Sequence, residues 1–324
     1  MRKLTILAAA AILLSTAGGA LAAEGAVPPI QRDWPNSGPF GTFDRAAVQR
    51  GFQIYREVCS SCHSLRLLAF RNLEEVGFSA DEVKAIAKNW NYQIATTDDD
   101  GEPAERAPLP ADKIPGPFAN EKAARAANGG ALPPDLSLII KARPDGENYV
   151  YSLLAHGYED MASQDTLNDA FDIENTKRKH NYEDAMTGYE ESLAKYEDKL
   201  AAYQSAIDEG RQAKKPAEPV KPEEPAEVAS VEDLHLADGQ NFNAFFKGWG
   251  IAMPQPLSDD QVEYTDGTPA TLDQEAQDVV QFLTWASEPR MEDRKRIGVQ
   301  VLIFLVVLTV LLYFVKRKVW SDVH

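Results

Sequence analysis

Cys59-Ser60-Ser61-Cys62-His63 holds both cysteines of this 324-residue chain, and its reading governs everything around it. Two thiols three positions apart can reach the two vinyl groups of one porphyrin and form thioethers, and the adjoining imidazole is then held beneath the iron as proximal ligand. Other uses of the same residues fit less well. A disulfide has no need of His63. A zinc site needs a second ligand pair, which the chain lacks. Thioredoxin-like redox chemistry belongs to a βαβ context that is missing here. The run is read as the attachment site of one haem c, bound through Cys59 and Cys62.

The chain ends say where such a group works. Met1-Arg2-Lys3 is a basic start, the apolar stretch 4–14 follows, and Ala20-Leu21-Ala22 is a small-residue cleavage site; together they predict a signal peptide over residues 1–22. Covalent haem c is assembled after export, so motif and signal agree. Residues 297–315 carry no charge. At ~1.5 Å per residue they span roughly 28 Å, about one hydrocarbon thickness, and predict a membrane anchor. Lys316, Arg317 and Lys318 follow, with Trp320 at an interfacial position. The upstream flank is basic too (Arg290, Arg294, Lys295, Arg296), so orientation rests on the signal peptide. It places the haem domain on the periplasmic side of the inner membrane and the tail 316–324 in the cytoplasm. The formal charge of −17 argues against nucleic acid as a partner and favours basic proteins.

Between the ends the pattern is mainly α with long loops. A first helix over about 44–58 puts Val48, Phe52, Tyr55 and Val58 on one face, with Asp44 as N-cap, and delivers the chain into the haem motif. A second, about 79–90, opens on the capping box Ser79/Glu82. Residues 96–120 read as loop. Asn128-Gly129-Gly130-Ala131-Leu132-Pro133-Pro134-Asp135-Leu136-Ser137 is a constrained loop, with Asp135 or Ser137 as cap of a helix through Ile140. Further helices are predicted at 149–156 and 271–287. The haem domain is expected over 23–158 and 234–290.

Residues 159–233 differ in kind, carrying 20 acidic and 9 basic side chains. Tyr182, Tyr189, Tyr196 and Tyr203 recur every seven residues, and Met186, Leu193, Leu200 and Ile207 each follow four positions later. This is a heptad seam for a partner chain, or a solvated helix packing its stripe against its own domain. The Pro/Glu-rich stretch 216–228 reads as an extended linker.

The sixth iron ligand decides the chemistry of a His63-ligated haem: methionine raises the potential, histidine lowers it, and a vacant site binds gases or peroxide. His156, His180, His235, Met161, Met186, Met253 and Met291 are candidates. Met186 belongs to the seam, with His180 beside it; Met291 lies among charges at the membrane, and His235 flanks the insert. Met253 stands in Gly250-Ile251-Ala252-Met253-Pro254-Gln255-Pro256-Leu257, where two prolines stiffen an apolar loop. Little entropy is lost when so rigid a loop coordinates a metal. A buried methionine filling a core gap is the plain alternative.

At this point the residues resemble one family, cytochrome c1, the haem c subunit of the quinol–cytochrome c reductase (cytochrome bc1) complex. The matching blocks are Arg50-Gly51-Phe52-Gln53-Ile54-Tyr55 running into the haem motif, the loop from Asn128 to Ser137, Ala142-Arg143, and Asn148-Tyr149-Val150-Tyr151-Ser152-Leu153-Leu154. Ile251-Ala252-Met253-Pro254 with Pro256-Leu257, and the C-terminal anchor, complete the set. The resemblance implies a class I cytochrome c-type haem domain in which His63 and Met253 ligate the iron. Arg143 would pair with a propionate, and Asn128, Pro133, Pro134 and Tyr149 would line the pocket. It implies an electron-transfer subunit, with no separate catalytic step of its own, in a dimeric complex with cytochrome b. Electrons would come from the Rieske iron–sulfur protein and leave to a basic c-type cytochrome. Residues 159–233 depart from the pattern, since family members usually cross this interval by a shorter route. A free-standing anchored cytochrome c and an open-site haem sensor or peroxidase are the rival readings.

Overall fold

The computed structural model describes residues 25–321, and the expected signal peptide and the last three residues of the tail lie outside them. The chain forms two compact units, Pro29–His156 with Ala252–His324, and Gly157–Ile251 with the described residues up to Pro28.

The first unit is built on two crossed helices. α1 (Arg45–Glu57) starts at Asp44, whose carboxylate accepts from Ala46 and Ala47 backbone N–H groups and satisfies two of the four donors a helix start leaves open. α2 (Ala80–Lys88) has the reciprocal Ser79/Glu82 capping box. Short α3 (Glu121–Ala127) and α4 (Gly146–Ala155) follow. α6 (Leu272–Ser287) is capped by the Thr271 hydroxyl, which accepts from Gln274 N–H. α1 lies directly on α6 because Gly51 has no Cβ: one built there would fall 2.0 Å from the Asp278 carbonyl oxygen and 2.7 Å from Phe282 Cβ. Around that crossing Phe52, Tyr55, Phe70, Trp90 and Phe282 form an aromatic core, with Phe52–Phe282 at 5.5 Å and Phe70–Trp90 at 5.3 Å, both edge-on. Edge-on rings are the favoured aromatic arrangement. Arg50 clamps the same crossing, pairing in bidentate fashion with the fully buried Asp278 at 2.7 and 2.9 Å and with Asp266 at 2.9 Å.

Strand content is small. β1 (Leu65–Ala69) pairs antiparallel with β4 (Lys113–Ile114), and β2 (Ile94–Thr97) with β3 (Pro103–Arg106). β3, β4 and the second half of β2 fall in the stretch read as loop. The helix expected through Ile140 does not form; residues 136–145 are turns. The reason is local. The Asp135 carboxylate accepts from Ser64, Arg66 and Ser137, and the Ser137 hydroxyl accepts from Leu67 N–H, so both would-be caps serve a tertiary contact instead.

α7 (Met291–Val319) continues from α6 after a short break and is 29 residues long. It is the one helix among the described residues that is long and apolar enough to cross a membrane.

The second unit centres on α5 (Gln164–Asp208), 45 residues in one helix. Its first turns pack on β5 (Asn241–Phe242), which pairs with β6 (Gly250–Ile251), and Ala170, Phe242, Ala244, Phe245 and Trp249 make the core. The Trp249 indole donates to buried Glu174 at 3.0 Å, and Glu174 also pairs with Lys177 and Arg178.

The chain folds back beside the helix that carries the heptad stripe. α5 turns back at Gly210, where Arg211 N–H donates to the Ala206 carbonyl at 2.8 Å. The returning chain is pinned at the other end, where Asn175 and Val228 exchange bonds of 3.0 and 2.8 Å. From Ala206 to Asn175 the helix measures roughly 47 Å. The returning segment from 211 to 228 measures roughly 53 Å if it is polyproline II. The lengths match. Tyr182, Met186, Tyr189, Leu193, Tyr196, Leu200 and Tyr203 are half-buried between exposed neighbours, and Pro216, Pro219 and Pro222 are half-buried at three-residue spacing, the polyproline II repeat. The long helix and the returning segment thus form a hairpin closed at Gly210 and at the Asn175–Val228 pair, with the stripe and the three prolines as half-buried positions on its two arms.

Candidate haem site

α1 runs into a single 3-10 turn, Cys59–Ser61. Cys62 and His63 N–H groups donate to the Cys59 carbonyl at 3.1 and 2.9 Å, so both thiols and the imidazole hang from one tight turn. Burial pushes the Cys59 thiol up to about 12, well above the range of a reactive thiolate. The two cysteines are not joined in a disulfide. Among the described residues no three His, Cys, Asp or Glu side chains gather as a metal-binding group.

The imidazole is oriented by a residue far away in the chain. His63 Nδ1 lies 2.8 Å from the Pro134 carbonyl oxygen. A carbonyl only accepts, so Nδ1 carries the proton and Nε2 keeps its lone pair, the tautomer that a proximal ligand needs. Burial pushes the His63 pKa below its usual value, which favours the same neutral ring. Pro134 is in turn held by its neighbours: Leu136 N–H donates to the Ser64 carbonyl at 2.9 Å, and Asp135 ties its loop to the start of β1 through Ser64 and Arg66. The Tyr55 hydroxyl donates to the His63 carbonyl at 3.1 Å and anchors the motif to the aromatic core. The sequence places Tyr55 on a helix face and Asp135 as a helix cap rather than at the haem motif, and gives Ser64 no role; the 71 positions between Ser64 and Asp135 leave no local signal of their bond.

Of the other expected residues, Met253 sits half-buried two residues after β6, between Ala252 and Pro254. Asn128 caps α3, its side-chain amide donating to the Ala124 carbonyl at 2.7 Å. Arg143 is exposed, with its guanidinium donating to the Ala142 carbonyl at 3.1 Å. Tyr149 is half-buried on α4, and its phenol is pushed up chiefly by burial and pulled back by Arg143. Pro133 is half-buried and Pro134 exposed.

These residues fit a haem. Two free thiols precede an imidazole protonated on Nδ1, and Leu67 and Leu138, 58% and 46% exposed, offer apolar surface on the two segments that hold His63. Exposed leucines on these segments are the kind of surface a flat apolar macrocycle would cover.

The Cytochrome C1 family model matches residues 34–323. The chain belongs to the cytochrome c1 family. It is 40% identical to cytochrome c1 of Rhodospirillum rubrum over 98% of this chain and 96% of that one. It is 41% identical to the "cytochrome b-c1 complex catalytic subunit, mitochondrial" of Candida albicans, over 95% of this chain and 83% of the relative. A "cytochrome b/c1" of Bradyrhizobium diazoefficiens is 40% identical over 99% of this chain and 40% of its own length. Membership makes this an electron-transport haem protein. It also accounts for the mainly helical fold with one apolar C-terminal helix.

Proposed function

We propose that this chain is the haem c subunit of a cytochrome bc1 complex, accepting electrons one at a time from the Rieske iron–sulfur protein and delivering them to a basic c-type cytochrome. The observation that supports it most is the hydrogen bond from His63 to the Pro134 carbonyl, which joins the haem motif to the loop that follows Asn128 and leaves Nε2 available. When bound, the haem supplies a one-electron iron couple.

The chain's own residues set how that couple is held. Cys59 and Cys62 would carry the haem thioethers, His63 and Met253 would ligate the iron, and Arg143 would answer a propionate with a fixed charge and a fork of donors. Asn128, Pro133, Pro134 and Tyr149 line the pocket. Rigidity around His63 (two prolines, the Asp135 ties, the Tyr55 bond) limits ligand movement between redox states. The charge of −17 steers a basic acceptor, so electron delivery to it slows as ionic strength rises. α7 anchors the chain in the inner membrane, with the haem domain on the periplasmic side; residues 159–233 form an insert on that domain. Cytochrome b is the partner that the names of two relatives point to.

A pyridine haemochrome spectrum of the protein, extracted from membranes in mild detergent, tests the assignment. About two haem b per haem c co-purifying with the chain places it in a bc1 complex; haem c alone after gentle extraction favours a solitary anchored cytochrome and removes the Rieske step.

A further inference from the structure

Phe40 is 79% exposed and is the only exposed Phe, Tyr or Trp among the described residues outside α7 and its cap Trp320. A large ring in water is unremarkable on a mobile tip, but this loop is closed. Thr42 N–H donates to the Pro35 carbonyl at 3.1 Å and Ser37 N–H to the Trp34 carbonyl at 2.9 Å. A Cβ on Gly41 would fall 2.1 Å from the Ser37 carbonyl oxygen, so the turn is as tight as glycine permits. Pro39 stiffens it beside Phe40.

The loop is also fastened to the first turn of α7. Lys295 Nζ donates to the carbonyls of Asn36 and Gly41, the latter at 3.2 Å. Glu292 accepts from Phe43 N–H at 2.7 Å and pairs with Arg45 at 2.7 Å. Lys295 stands two residues before Ile297, where the uncharged run begins, a rise of ~3 Å along the helix axis. The loop carbonyls thus lie within one lysine side chain of the plane where hydrocarbon starts. Arg294 and Arg296 are exposed at the same level, Arg294 paired with Glu288 at the end of α6 and Arg296 with Asp293 in the first turn of α7. An exposed aromatic ring beside cations, at the mouth of an apolar helix, has the composition of an interfacial membrane anchor.

We propose that loop 35–42 is a second membrane contact, with Phe40 seated in the lipid headgroup–acyl boundary on the haem-domain side. It fixes the tilt and rotation of the unit over its helix, which one helix with a short junction cannot do alone. The inference rests on α7 spanning the membrane.

The test is photocrosslinking of the full chain, in membranes of cells that make the whole complex. p-Benzoylphenylalanine is placed in place of Phe40 and, separately, in place of Leu305 at mid-helix, with the haem c spectrum confirming each holoprotein. The expected result is a light-dependent mass gain of one phospholipid on the peptide holding position 40 and on the one holding position 305. An adduct at 305 with none at 40 overturns the inference and puts the loop in water. A protein cross-link at 40 with a lipid adduct at 305 overturns it as well and shows that another chain covers Phe40. No lipid adduct at 305 removes the membrane-spanning reading itself, and the inference with it.

Discussion

Gly51→Ala isolates the contact that sets the position of the haem motif. A Cβ at residue 51 lies 2.0 Å from the Asp278 carbonyl oxygen, where ordinary contact begins near 3.4 Å, so the helices must part by about 1.4 Å. Neither neighbour can rotate away, because the nearest atoms are backbone, and the Arg50–Asp278 pair at 2.7 and 2.9 Å resists separation. Two effects oppose each other. Alanine raises helix propensity by ~1 kcal/mol over glycine. Overpacking a filled crossing costs about 1–3 kcal/mol or more. Because backbone opposes backbone, the clash wins, leaving a net loss of about 1–2 kcal/mol, or roughly 2–8 °C in Tm for a unit of this size. Thermal melts of the holoprotein followed by Soret circular dichroism measure it. Gly188→Ala in the exposed part of α5 is the control, since nothing lies within 4 Å of its Cβ and only the propensity gain applies. A Gly51→Ala protein that melts at or above the wild-type temperature would refute the close-crossing argument.

Met253→Leu removes the thioether without changing side-chain size much, and the reduced protein should then bind carbon monoxide where the wild type does not; an unchanged spectrum under carbon monoxide means that Met253 is not a ligand. Glu275 is fully buried at the start of α6, with one carboxylate oxygen accepting from Val262 N–H and the other without a partner, and burial pushes its pKa up to about 7. The native state therefore holds a proton that the unfolded chain releases near 4.5, so stability falls as pH rises from about 4.5 to 7. Glu275→Gln should flatten the Tm profile across that window and be the more stable protein at pH 8; parallel profiles would refute this. Replacing Pro216, Pro219 and Pro222 together by Gly should loosen the cover of α5, speeding proteolysis at 211–225 several-fold and lowering helicity beyond Tyr182. Equal cleavage rates would mean that the prolines do not hold the stripe.

How much of this could be read from the residues follows from the range of each interaction. The Cys59–His63 motif, the Asp44 and Ser79 caps and the apolar run of α7 are written in consecutive residues, and each appears where local chemistry puts it. The Pro134 carbonyl that orients His63 lies 71 positions away and is a backbone atom, so no side-chain pattern announces it. Asp135 and Ser137 look like helix caps because a cap and a tertiary tie use the same oxygens; only the position of β1 decides between them. The seam on α5 is legible as periodicity, whereas a returning segment with a different repeat shares no pattern with it. Tyrosines every seven residues of helix and prolines every three of polyproline II advance by ~10.5 and ~9.3 Å, close enough to register.

That near-equality bears on how such an appendage changes through evolution. Both ends of the hairpin meet at Asn175 and Val228, so the rest of the fold sees a fixed pair of attachment points whatever lies beyond. Length can then vary only in quanta: one heptad added to the helix must be matched by about three residues, one proline repeat, in the returning strand. Insertions of about ten residues, split unequally between the two arms, preserve the registry, whereas an insertion in one arm alone offsets the two repeats.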